Sequence, residues 1–176
     1  MNKYFIIIIS LLSATYWCDA LAEPKFEDAF APNQGATALI VRTIDESQKS
    51  IRVAAYYFTS RPITEALIAA HRRGVDVKVV MDETNKTNFY SSLKPLLDAR
   101  IPTRTNSHYA IMHDKFMVID SSTLELGSFN YTRSAEEKNA ENVLVIRDAG
   151  QIALDYTKHW NRLWEEGTSS VALDQR

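Results

Sequence analysis

The stretch Ile51-Arg52-Val53-Ala54-Ala55-Tyr56-Tyr57-Phe58, together with the residues from Thr59 to Met81, decides the fold. Its β-branched and aromatic residues read as a strand. Pro62 near the start and Gly74 just past the end bracket a helix whose Ile63, Leu67 and Ala70 share one face. Val75 to Met81 is then a second strand. Strand, helix and strand in that order form a βαβ unit, which favours a parallel pair covered by a helix, so the fold class is α/β.

Upstream, Pro24 to Pro32 reads as a short edge strand, closed by the turn Pro32-Asn33-Gln34-Gly35. Ala38, Leu39, Val41, Arg42 and Ile44 then mark a helix running to about Ser47. Downstream, Asp82 to Tyr90 is polar loop and Ser91 to Ala99 a short amphipathic helix. Ala110 to Ile119 is apolar on both faces apart from its charged residues, as expected of a central, buried strand. A turn at Asp120-Ser121-Ser122-Thr123 precedes strands at Leu124 to Gly127 and Asn142 to Ile146. A closing helix, Gln151 to Trp164, is expected to turn Ile152, Tyr156, Trp160, Leu163 and Trp164 inward. The expected architecture is a mixed central β-sheet flanked by helices.

At the start of the chain, Lys3, the apolar run Tyr4 to Leu12 and then Ala20-Leu21-Ala22 read as a secretory signal peptide over residues 1–22. The run is shorter than the roughly 20 apolar residues that a spanning helix needs. Cleavage would leave Glu23 first, with the protein secreted or periplasmic. An uncleaved anchor is the alternative, because Trp17 and Asp19 lie near the cut. Cys18, the single cysteine, would leave with the signal, so neither a disulfide nor a cysteine metal ligand is expected. Residues 23–176 suffice for one domain, and 45% hydrophobic with 24% charged residues is ordinary globular composition. The formal net charge of -2 gives no global sign of a polyanion partner.

The central strand carries His113-Asp114-Lys115, and alternation would put His113 and Lys115 on one face. An unpaired lysine there is costly unless an anion compensates it, so the pair points to an anion site, with a satisfied core histidine as the equal alternative. There is no HExxH, no close histidine-carboxylate cluster and no glycine-rich phosphate loop, so no metal and no cofactor are expected.

His113-x-Lys115-x4-Asp120, followed by Gly127-Ser128-Phe129-Asn130, resembles the HxKxxxxD signature and GSxN element of the phospholipase D superfamily. Glu141 sits where that family carries an acidic partner of the histidine, and Ala55 to Asp82 is similar to its first βαβ unit. With one motif per chain, the sequence looks most like the short secreted bacterial endonucleases of the superfamily. The resemblance implies a metal-independent phosphodiesterase in which a neutral histidine attacks phosphorus and a second histidine protonates the leaving oxygen. That chemistry needs two copies of His113, hence a homodimer. By the same resemblance Lys115, Ser128 and Asn130 would hold the phosphoryl oxygens, and Glu141 would accept from the far ring nitrogen of His113. Asp120 is read as a structural turn former.

The remaining histidines are His71 and His159, given no role, and His108, placed at the cleft edge only as the weaker alternative. Arg42, Arg72, Arg73, Lys86, Lys94, Arg100 and Arg104 could form a basic surface, although scattered basic residues usually form only a solvated face. Tyr90, Tyr109, Phe129 and Tyr131 could stack on bases, though core packing is the commoner use. An endonuclease acting on DNA or RNA is the main functional expectation. Phospholipid hydrolysis or headgroup exchange is the second, and a non-catalytic nucleic-acid or lipid-binding module the third.

Overall fold

The computed structural model describes residues 23–170; the expected signal peptide lies outside them. An eight-stranded mixed sheet runs in the order β1-β7-β6-β5-β2-β3-β4-β8. Its strands are β1 (Lys25–Ala31), β2 (Ser50–Ala55), β3 (Asp76–Asp82), β4 (Thr103–Asn106), β5 (Lys115–Ile119), β6 (Thr123–Gly127), β7 (Glu141–Arg147) and β8 (Thr168–Ser169). β2 and β3 are parallel, joined through helix α2 (Arg61–Arg72), as the βαβ reading requires. β5 runs antiparallel to β2, in register Ala55 opposite Lys115, and this makes the sheet mixed.

Strand alternation divides the core in two. Val53, Ala55, Val79 and Met81 face α1 (Ala36–Asp45) and α2, where they join Leu39, Ile40, Ile63 and Leu67. Ala54, Val80, Phe116 and Val118 face α5 (Gly150–Glu166), where Trp160 and Leu163 are buried and the Trp160 indole donates to the Val53 carbonyl at 2.8 Å. In α1 the inward stripe is Ala36, Leu39, Ile40, Thr43 and Ile44, so Ala38 is exposed and Val41 only half-buried. In α5 the stripe begins at Ala153 and Ile152 is exposed, whereas Trp160 and Leu163 are buried and Tyr156 and Trp164 pack half-buried against the same cluster, as the sequence reading has them.

The strand expected from Ala110 begins only at Lys115. Pairing with β2 stops at Ala55, so residues 110–114 have no neighbour to continue the ladder and run as irregular chain. Short elements that the sequence reading lacked are β4, β8, α4 (Arg133–Glu137) and a 3-10 turn at Glu83–Lys86. α3 (Leu93–Asp98) falls within the expected short helix.

Glu125 on β6 is buried among these side chains, and the Tyr131 hydroxyl donates to it at 2.7 Å. Burial pushes its carboxyl up to about 8, although the Tyr131 hydrogen bond pulls the other way. A raised folded pKa means added stability that is complete below the ordinary value near 4.5 and is lost as pH rises through about 8. Glu125→Gln, which keeps an acceptor for Tyr131 but cannot ionise, should therefore match the wild type at pH 4.5 and exceed it at pH 8.5. The expected gap is on the order of 2–4 kcal/mol by urea unfolding. Parallel stability curves for the two proteins across that range would refute it.

Candidate active site

Four strand ends meet at one rim of the sheet: the end of β2, the start of β5, the end of β6 and the start of β7. Each brings one polar group. His113 lies just before β5 and is exposed, not buried in a strand as expected. Its ring packs on Tyr56 with centroids 4.5 Å apart, and Lys115 Nζ lies 3.0 Å from His113 Nδ1 and donates to the His113 carbonyl at 2.6 Å. The two side chains are thus brought together where irregular chain enters β5, and not by strand alternation. Lys115 also sits 5.4 Å from the Tyr56 ring centroid, a cation-π arrangement. Desolvation pulls the Lys115 ammonium below its ordinary pKa, against the opposing fields of Asp114 and Glu141.

β6 ends at Gly127 because a side chain there would run into the Asn142 carbonyl of β7, so only glycine lets the two strands close here. Beyond it the Ser128 hydroxyl donates to Glu141 and accepts from the Asn142 N–H at 3.1 Å, while Asn139 Nδ2 donates to the other Glu141 oxygen at 3.0 Å. Both Glu141 oxygens are thus engaged, and among the described residues none of the hydrogen bonds links Glu141 to His113 directly. Asn130 Oδ1 is buried without a hydrogen-bond partner, an uncommitted polar atom beside the rim.

Asp120 lies at the opposite end of β5. Its carboxylate accepts from the N–H groups of Lys49 at 2.7 Å, Ser50 at 2.9 Å and Gln48 at 2.9 Å. Burial works against its charge, yet these bonds hold the carboxyl below the usual range. It pins the loop entering β2, the structural place that a turn former would take.

Sequence reasoning missed two contacts that flank His113. His159 Nε2 on α5 lies 3.0 Å from Asp114 Oδ2, and Arg162 approaches the other ring nitrogen at 2.9 Å. Asp82, read as the start of a loop, is instead the buried last residue of β3 and accepts from the Met112 N–H at 2.7 Å. A lone aspartate closing an apolar strand run was the signal that could have revealed the second; nothing marked the first. His108 packs edge-on to Tyr109.

Phe129 and Tyr131 are core residues, whereas Tyr90, Tyr109 and the unforeseen Phe89 and Tyr57 are exposed. The scattered basic residues are largely committed: Arg42 pairs with Glu27, Arg73 with Asp45, Lys86 with Glu83 and Lys94 with Asp98. Arg104 lies over Trp164. Among the described residues no helix is long and apolar enough to cross a membrane.

Residues 40–164 match the family described as cardiolipin synthase, PLD-like domain. A phospholipase D of Rickettsia bellii is 38% identical over 145 residues, covering 82% of this chain and 72% of the relative. A mitochondrial cardiolipin hydrolase of Xenopus laevis is 35% identical over 68% of this chain and 57% of the relative. The crystal structure of Nuc from Salmonella typhimurium, a phospholipase D family member, superposes with a TM-score of 0.80 at 40% identity, covering 84% of this chain and 98% of that one. With this fold match and this extent of sequence identity, the chain belongs to the phospholipase D-like family and is a phosphodiesterase.

Proposed function

We propose that this protein cleaves phosphodiesters without a metal ion, through a phosphohistidine on His113, and acts as an endonuclease on DNA or RNA. The observation that carries the mechanism is the Lys115 ammonium held 3.0 Å from the His113 ring, with Ser128, Asn130 and Glu141 on adjoining strand ends of the same rim. A phosphoryl oxygen competing for Lys115 draws the ammonium off Nδ1, and the one proton of the neutral imidazole then passes through water from Nε2 to Nδ1, leaving the Nε2 lone pair free to attack. The new N–P bond forms as the bond to the leaving oxygen breaks, and an imidazolium supplies the proton that this oxygen takes. Water then cleaves the N–P bond and returns its proton to the same imidazole.

That acid must come from a second histidine. Among the described residues no other imidazole touches His113, since His159 is tied to Asp114 and His108 to Tyr109. The reading therefore includes a homodimer whose twofold axis brings two copies of His113 together. Export to the periplasm or the exterior, after removal of residues 1–22, completes it. The exposed rim, with Tyr57 and Tyr109 beside it, favours an extended backbone as substrate. The exposed Phe89 and Tyr90, and relatives named for phospholipid and cardiolipin hydrolysis, favour the lipid alternative.

One comparison tests the reading. Mature protein in excess EDTA is offered plasmid DNA, RNA, and vesicles of phosphatidylcholine or cardiolipin, with light scattering under the same conditions. Turnover of nucleic acid by a dimer is expected to persist in chelator. Faster cleavage of the vesicles would transfer the assignment to lipid, and an active monomer would remove the two-histidine mechanism.

A further inference from the structure

Residues 107–114 reach His113 without belonging to a strand, so no ladder fixes the backbone that presents the ring. What holds it is a carboxylate from another element. Asp82, 3% exposed at the end of β3, accepts the Met112 N–H on Oδ2 at 2.7 Å and the Thr84 N–H on Oδ1 at 2.9 Å. Met112 is itself buried, packed in the cluster of Ala54, Val80 and Phe116 beneath α5. The bond is charge-assisted, is shielded from water, and falls one residue before His113. The Tyr56 phenol, pushed up to about 12 mainly by its hydrogen bond with Tyr57 and by desolvation and least by the Asp82 charge, is the surface on which the His113 ring rests.

We infer that Asp82 is a positioning residue for the nucleophile: its buried carboxylate sets the Met112 main chain and thereby the His113 ring against Tyr56 and Lys115. The same carboxylate ties the 3-10 turn at Glu83–Lys86, from which the chain runs on to the exposed Phe89 and Tyr90. One buried group thus fixes both the backbone of the attacking residue and a loop at the rim. The inference rests on reading His113 as the nucleophile. The amide of an asparagine has one oxygen where two N–H groups now bind, so Asp82→Asn must present an NH2 group to Thr84 or to Met112.

The test compares wild type, Asp82→Asn, Asp82→Ala and Leu67→Ala, the last a buried residue of α2 remote from the rim that destabilises without touching it. Turnover of a small phosphodiester, bis(p-nitrophenyl) phosphate, is measured where every variant is folded by circular dichroism. Asp82→Asn is expected to lower kcat on the order of 10- to 100-fold with KM within about twofold, Asp82→Ala at least as much, and Leu67→Ala little. In parallel, the NMR contact between the His113 and Tyr56 rings should weaken in both Asp82 variants and persist in Leu67→Ala. Equal kcat losses in Asp82→Asn and Leu67→Ala, or an unchanged ring contact in Asp82→Asn, would overturn the inference. A wild type with no turnover would defeat the proposed chemistry instead, and the ring contact would still decide the role of Asp82.

Discussion

His113→Ala is expected to lower kcat on the order of 10⁴-fold or more while leaving the melting temperature close to that of wild type. The ring is exposed and touches only the rim, against Tyr56 and Lys115, so its removal opens no cavity in either half of the core. In the proposed dimer it takes away both the nucleophile and the acid, because each copy serves in one role for a given turnover. Adding increasing amounts of His113→Asn protein to wild type should therefore reduce activity beyond simple dilution once subunits exchange. Single-turnover kinetics with a 32P-labelled substrate should trap phosphohistidine in wild type only. Label retained on the His113→Ala protein would place the covalent step elsewhere.

Lys115→Ala is expected to cost about 2.7–4 kcal/mol of transition-state stabilisation, a factor of roughly 10²–10³ in kcat, as for loss of one preorganised electrostatic donor. The lysine is half-buried, touches His113 and feels the charges of Asp114 and Glu141. Its ammonium is the fixed positive charge at the rim, and the uncommitted Asn130 amide cannot replace a full charge. Because desolvation lowers its pKa, the alkaline limb of the wild-type pH profile should fall earlier than an ordinary lysine would allow. Lys115→Arg should recover little, since a longer, planar guanidinium does not place one compact charge where Nζ meets both His113 Nδ1 and the His113 carbonyl. A pH profile that is unchanged in Lys115→Ala would remove the lysine from the chemistry.

The βαβ unit was legible because Pro62 and Gly74 bracket α2 and because the β-rich runs on either side of it read as strands. β4 was not, since Thr103-Arg104-Thr105-Asn106 has no apolar alternation and owes its existence to pairing with β3. The run Ala110-Ile111-Met112 misled for the converse reason: its composition suits a strand, but pairing is a property of neighbours and none lies beyond Ala55. The site followed the same rule. His113, Lys115, Ser128, Asn130 and Glu141 were singled out by the resemblance of their motifs to the phospholipase D superfamily, whereas Asp82 and His159 reach the motif only through the folded chain. The direct Glu141 contact expected for His113 is taken in the folded chain by Ser128 and Asn139.

The pairing of β1 with β7 joins Lys25 to Arg147 and Ala31 to Glu141, so the first of these strands to leave the ribosome finds its partner late. At about 5–20 residues per second of synthesis, β1 waits on the order of ten seconds before that neighbour exists. During that interval Ala29 and Ala31, buried in the folded core, have no sheet partner, and the rim that β6 and β7 close does not yet exist. Contacts this distant in sequence also slow the final search, because the loop must be closed before the ladder can repay its entropy. Completion of the rim is thus delayed by topology itself: until Glu141 has emerged and paired, the growing chain carries its histidine and lysine but not the strand end that lies beside them.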